Sequence, residues 1–173
     1  MQKIAPCLWF DGNAEEAAEF YTSVFSASRI ATTLHATDAG PGPAGKVVAV
    51  TFEIEGQEFM ALNGGPQYKF TPAISLFVHC DSQEEIDRYW SKLLEGGGEP
   101  WACGWLRDRF GVSWQIAPNV LLQMLRDPDR AKASRVMAQM MKMVKLDIAP
   151  LEQAYRGEWG GGQRAPRLAR AIF

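Results

Sequence analysis

His79 and Cys103 are the side chains in this sequence best suited to move a proton or attack a carbon centre. Imidazoles titrate near neutral pH, which suits a general base. No carboxylate close in sequence obviously orients His79, and the plain alternative is a strand-end histidine that is structural or faces solvent. Cys103 stands near Arg107 and Arg109, whose charges favour a thiolate. Its alternative is a buried, inert thiol. Gln115 interrupts the apolar run "VSWQIA" and offers one amide to a ligand, a water or a backbone group. Asn63, followed by "GGP", is either a donor to a ligand oxygen or the exit from a strand. Met137, Met140, Met141 and Met143 form either an adaptable lid or part of a core or dimer interface. Asp108 and Arg109 read as turn residues.

The whole chain limits what these groups can do. Its 173 residues are 47% hydrophobic, enough for one domain or two small fused modules. A net charge of -2 makes no field that would recruit nucleic acid or an anionic membrane. No apolar run reaches the roughly 18 residues of a membrane span, and "MQKIAPCLWF" lacks the pattern of a signal peptide. Three cysteines without CxxC spacing fit reduced thiols in a cytoplasm. Two histidines are too few for an all-histidine metal site.

The elements that must position these groups are written twice. A shift of 69 residues lays "PCLWFDGNAEEAAEFYTSVF" from Pro6 over "SLFVHCDSQEEIDRYWSKLL" from Ser75. Each copy starts with a short apolar strand and then a helix cap, Asn13 or Ser82. Glu16 or Glu85 follows at capping-box spacing. Ala17, Phe20, Tyr21 and Val24 match Ile86, Tyr89, Trp90 and Leu93, one apolar stripe per helix. Strand patterns follow: "RIATTLHA", "KVVAVTFEI" and "QEFMALN" in the first half, "PWACGWLR" and "VSWQIA" in the second, which reads as shorter by about one strand. Beyond Asn119 a helix is expected over "DPDRAKASRVMAQMMKMVK". Asp127 is its cap, Pro128 its first residue, and Ala133, Val136, Met137, Met140, Met141 and Val144 one face. Asp147 caps a further helix to about Tyr155. The segmentation is 1–66 and 67–118 for the two modules, 119–156 for a helical extension and 157–173 for a flexible tail.

The doubled unit resembles the vicinal oxygen chelate superfamily, which includes glyoxalases, extradiol dioxygenases and bleomycin- and fosfomycin-resistance proteins. "LWFDGNAEEAAEFY", "FMALNGGP" and "CGWLRDRFGVSWQIAP" are similar to its PhnB-like branch, whose members often carry the label demethylubiquinone methyltransferase. The resemblance implies an α+β fold, two tandem βαβββ-type modules forming a half-open barrel, and a homodimer. It also implies up to four cavity-facing metal slots. Counted from the shared landmarks, these fall at Pro6, Ala61, Ser75 and Gln115.

Strand alternation assigns the remaining lining. Ile74, Leu76, Val78, Val112, Trp114 and Ile116 are expected beneath the helix. Leu8, Phe10, Phe59, Ala61, Asn63, Ser75, Phe77, Ser113 and Gln115 are expected to face the cavity as ligand-binding residues, with His79 beside them. That lining suits a small, partly aromatic organic ligand. It does not suit a divalent metal, because Pro6 and Ala61 carry no donor and Ser75 and Gln115 are neutral. No metal or cofactor is therefore expected. The dense glycine runs "EGGGEP" and "GGGQ" do not join a strand to a helix, so nothing supports a nucleotide-type methyltransferase. The alternatives are a metal-dependent lyase or dioxygenase with atypical ligands, and a protein that sequesters its ligand without turnover. Whether the protein is an enzyme is left open.

Overall fold

The computed structural model describes residues 2–39 and 43–158. The chain divides after Phe70 into two compact units. The first contains β1 (Cys7–Phe10), α1 (Ala14–Val24), β2 (Ser28–His35), β3 (Val47–Ile54) and β4 (Gln57–Asn63). Its open sheet has the order β1-β4-β3-β2, with β1 parallel to β4 and the other neighbours antiparallel. The second contains β5 (Leu76–Cys80), α2 (Gln83–Leu94), β6 (Glu99–Pro100), β7 (Trp105–Arg107) and β8 (Ser113–Pro118), in the order β5-β8-β7-β6. Three helices follow: α3 (Asn119–Leu125), α4 (Arg130–Met140) and α5 (Ile148–Arg156). This is the expected α+β architecture, a strand–helix–strands unit used twice and followed by helices. No described helix is long and apolar enough to cross a membrane.

Both helical stripes are buried as their spacing requires. Their caps differ. Ser82 Oγ accepts from the Glu85 N–H at 3.3 Å, while the Glu85 carboxylate reaches back to the Asp81 N–H at 2.8 Å. Asn13 makes no side-chain cap. The cap of α1 comes from β4 instead. Asn63 Oδ1 accepts from the Ala14 N–H at 2.9 Å, and Asn63 Nδ2 donates to the Val47 carbonyl at 3.0 Å. Asn63, expected to reach a ligand, is thus a clamp joining β3, β4 and α1.

The second sheet also has four strands, because "PWACGWLR" is two strands and a turn. Cys103 at φ +60° and Gly104 at φ +82° fold it back. The Trp101 N–H donates to the Trp105 carbonyl at 2.8 Å. A side chain at Gly104 would meet the Ile116 carbonyl at 2.7 Å and Leu146 at 2.9 Å, so glycine is required there for space as well as for φ.

The C-terminal helices correct the sequence expectation in three places. Residues Asn119–Leu125 form a helix that starts directly from β8 with no side-chain cap, and so without a start signal. The cap of α4 is Asp129, which accepts from Ala131 and Lys132. Asp127 lies before the helix and accepts from the Asp129 N–H at 2.7 Å and from the Tyr155 hydroxyl. The helix ends at Met140, beyond which the Lys142 and Met143 N–H groups reach back only three residues, to Gln139 and Met140, and the Met143 and Val144 carbonyls accept from the Cys103 and Gly104 N–H groups, each at 2.8 Å. Asp147 caps α5 as expected, accepting from Ala149 at 3.1 Å. Val136, Met140, Leu146 and Leu151 form a core with Ala117, Leu121 and Met124. Beyond Glu158 the expected flexible tail lies outside the described residues.

Asp108 is what holds the β7–β8 turn. It is 2% exposed. Oδ1 accepts from the Phe110 and Val112 N–H groups at 2.9 and 3.0 Å, and Oδ2 from the Trp114 indole N–H at 2.8 Å. Asp108→Ala strands three donors in or near the core. It is expected to lower unfolding stability by about 3 kcal/mol in urea titrations. Asp108→Asn should fall between, since its amide N–H opposes the indole N–H. A second expectation concerns acid. The Tyr155 hydroxyl holds the Asp127 carboxyl below its ordinary range, and Lys145 and Gln83 do so for Asp87. Both pKa values are lowered by folding, so their stabilisation is present above the unfolded carboxylate range and is lost as pH falls through the folded values. Urea midpoints at pH 7 and pH 3 should therefore differ less for Tyr155→Phe than for the parent chain.

Candidate functional site

One residue decides which side chains are free to meet a ligand. The shift of 69 relates the two helix caps, Asn13 and Ser82. The first strands are related by 70. Phe10 closes β1 as Cys80 closes β5, and both are buried. Leu8 opposite Ala61 corresponds to Val78 opposite Ile116, and Phe52 opposite Phe59 to Leu106 opposite Trp114. The extra residue is Gly12, which turns the chain at φ +86°. A one-residue slip exchanges the two faces of a strand.

In the first unit the consequence is a correction. Leu8 pairs with Ala61 and Phe10 with Asn63, so these four and Phe59 share a face, as alternation requires. That face lies under α1. The Tyr21 ring stacks on Phe52 at 6.0 Å, and Phe52 on its cross-strand partner Phe59 at 5.4 Å. Leu8, Phe10, Phe59 and Ala61 are core, and Pro6 precedes β1 with its carbonyl accepting from the Met60 N–H at 2.9 Å. The first-unit counterpart of Gln115 is Met60, not Ala61.

In the second unit Val112, Trp114 and Ile116 are buried and Leu76 and Val78 half-buried as expected, but Ile74, which precedes β5, is 81% exposed instead of lying beneath the helix, and Ser113, expected to face a ligand, is buried. Leu106, Trp114, Ile116 and Cys80 are buried on the α2 side. The opposite face carries Ser75, Phe77 and His79 beside Ser113 and Gln115. Phe77 pairs with Gln115 on one side and Trp105 pairs with it on the other. One row across three strands is therefore aromatic, amide, aromatic. Gln115 Nε2 donates to Ser75 Oγ at 2.8 Å. Among the described residues this is its one side-chain hydrogen bond, which leaves Oε1 and a second N–H for another partner. Phe77 is 39% exposed, while Ser113 is buried. Trp105 gives no signal in the sequence, because the turn at Cys103 and Gly104 that sets its register lies inside the apparently continuous strand "PWACGWLR".

His79 is exposed and its ring lies 4.8 Å from Phe77. Nδ1 is 2.9 Å from Asn119 Oδ1, and Asn119 Nδ2 donates to Asp81 Oδ1 at 2.7 Å. Asp81 is only two residues from His79, but the link needs Asn119 at the start of α3, a helix with no sequence signal. Cys103 is elsewhere, with its sulfur 3.7 Å from the Met141 sulfur. Burial pushes its thiol up, and the nearby arginines are engaged: Arg107 with Glu99 at 2.7 Å, Arg109 over the Phe110 ring at 4.8 Å. Burial, with Glu85 and Asp81, pushes the Cys80 thiol up to about 12. Neither cysteine is set up as a thiolate nucleophile.

A cleft of about 610 Å³ opens in the first unit where β4 ends, lined by Leu62, Asn63, Gly64, Val47, Lys46 and the start of α1. Nothing in the strand alternation pointed to it, since it depends on the β2–β3 connection. Among the described residues, no three His, Cys, Asp or Glu side chains gather in a group able to hold a metal ion. The open face around Gln115 offers neutral hydroxyl and amide groups and one imidazole, a donor set that does not fit the divalent site of the superfamily.

Residues 2–117 match the family model described as 3-demethylubiquinone-9 3-methyltransferase. A PhnB protein from Bacillus cereus is 41% identical, with 68% of this chain and 99% of that chain covered at a TM-score of 0.61. Protein PA1353 from Pseudomonas aeruginosa is 25% identical, with 68% and 98% covered at a TM-score of 0.55. No curated protein matches the chain. The chain therefore belongs to the 3-demethylubiquinone-9 3-methyltransferase family, the PhnB-like branch of the vicinal oxygen chelate superfamily.

Proposed function

We propose that the protein binds a small, partly aromatic organic molecule on the open face of the second sheet, without a metal ion, as a homodimer in a reducing compartment such as the cytoplasm. The observation that carries this reading is the row Phe77, Gln115, Trp105. A flat molecule laid on the two rings would place an oxygen at the free amide N–H, with Ser75 holding the amide in place from behind. Recognition then rests on stacking and one or two hydrogen bonds, the means available to a neutral, half-apolar surface. Methyl transfer from a nucleotide cofactor has less support. Gly96, Gly97 and Gly98 follow a helix, and Gly64 and Gly65 follow β4 without opening one.

Native mass spectrometry of the purified chain reads both the subunit count and any co-purified molecule. A dimer carrying an aromatic compound supports the reading. A monomer would remove the dimer, and near-stoichiometric Mn, Ni, Zn or Fe would remove the metal-free site. Gln115→Ala should weaken binding of that compound by roughly 1–3 kcal/mol, read by quenching of tryptophan fluorescence. Unchanged affinity with a lowered melting temperature would make Gln115 a purely structural amide.

A further inference from the structure

The geometry points to His79 as a general base, held in its reactive tautomer by Asn119 and Asp81, which act as positioning residues. The order of donors leaves one arrangement. The Asp81 carboxylate only accepts, so Asn119 turns its N–H₂ toward Asp81 and its carbonyl oxygen toward His79. His79 Nδ1 must then donate, and the lone pair lies on Nε2. Among the described residues Nε2 has no protein partner. It belongs to an exposed ring beside Phe77, and His79 pairs with Ala117, one place along the same face from Gln115.

The first unit shows that the fold does not need this pair. The places equivalent to His79 and Asn119 are Trp9 and Gly64. There the indole packs directly on the glycine, where a Cβ would come within 2.2 Å of the ring. Trp9 Nε1–H donates to the Gly65 carbonyl at 2.8 Å and the ring meets Tyr68 edge-on at 5.0 Å. One copy thus closes this corner with packed aromatic surface. The other leaves it open and fills it with a histidine, an amide and a carboxylate. Exposed hydrogen bonds of that kind contribute little stability, so their main effect is to orient the ring.

The chemistry that follows is proton transfer within a flat carbonyl compound. His79 Nε2 takes a proton from a carbon next to the carbonyl. The C–H electron pair becomes the C=C bond of an enolate, whose oxygen accepts from the free Gln115 N–H. In a β,γ-unsaturated carbonyl compound this enolate is a dienolate, and the imidazolium returns the proton to its γ-carbon as the double bond moves into conjugation. The net change is an isomerisation that needs no co-reactant. This substrate class rests on the binding face proposed above, while the state of the His79 ring does not.

Two measurements on the full chain separate the two ideas. The first is the tautomer of His79 without ligand, from long-range ¹H–¹⁵N correlations, with His35→Gln to assign the two histidines. The Nδ1–H form is expected, giving way to a mixture in Asn119→Ala and in Asp81→Asn. An Nε2–H form in the parent chain, or no change in Asn119→Ala, overturns the proposal. The second uses 5-nitrobenzisoxazole, a flat probe whose C–H is removed by a base as its N–O bond breaks to release a phenolate. His79→Gln should lower the rate roughly 10²-fold with an unchanged melting temperature, and Asn119→Ala should fall between. A His79→Gln rate equal to that of the parent overturns the proposal. Perturbation of the Gln115 side-chain amide by the probe reports binding separately, so loss of that signal counts against the binding face alone.

Discussion

Each sheet in this protein has one helix of its own to cover one of its faces, and everything else depends on which face that is. A strand carries two sets of side chains, and the helix turns one set into core. In the second unit the covered set is Leu106, Trp114, Ile116 and Cys80, and the set left open contains Ser75, Phe77, His79 and Gln115. In the first unit Leu8, Phe10, Phe59 and Ala61 are covered, and Cys7 and Met60 are exposed. The hydrophobic effect drives the burial, but the length of the strand–helix connection selects the set. Gly12 adds one residue to the first connection and is able to adopt φ +86° there.

The two copies have consequently diverged in what they offer. The first presents a thiol, an indole, a thioether and a leucine, and its polar Asn63 is consumed in capping α1. The second keeps an amide with spare hydrogen-bonding capacity between two rings, and an imidazole in a defined orientation. A duplicated fold can give one copy over to packing and the other to recognition. Family membership leaves that division open, since the same scaffold carries unrelated chemistries.

The C-terminal helices also support the candidate site. The Met143 and Val144 carbonyls pin the Cys103–Gly104 turn, which sets the register of Trp105 against Gln115. Asn119, the first residue of α3, orients His79. At the other end of β8, Asp108 ties the turn to the Trp114 indole. The site is thus held at both ends by buried or paired polar groups, while its middle row is left to solvent or ligand.

Much was legible in the sequence because it depends on local spacing. The two helical stripes, the Ser82 and Asp147 caps, most of the strands and the twofold use of one unit follow from periodicity and capping chemistry. The faces of Phe77, His79 and Gln115 in the second sheet were legible too, because alternation holds there, but the burial of Ser113 and the exposure of Ile74 were not. The faces of the first unit are not legible, because an ungapped overlay of the two copies hides the extra residue in the first strand–helix connection, and a one-residue difference is invisible to a pattern of period two until the strand is paired. The Asn63 cap, the Asp108 knot, the split of "PWACGWLR" and the His79–Asn119–Asp81 chain were hidden for a related reason: several join residues separated by about 40 or more positions. By itself, then, the sequence determined the elements, their amphipathic faces and their duplication, all consequences of short-range geometry. Only the tertiary structure decided which face each helix covers and which polar groups are spent on the fold, because both are settled by pairing between distant segments.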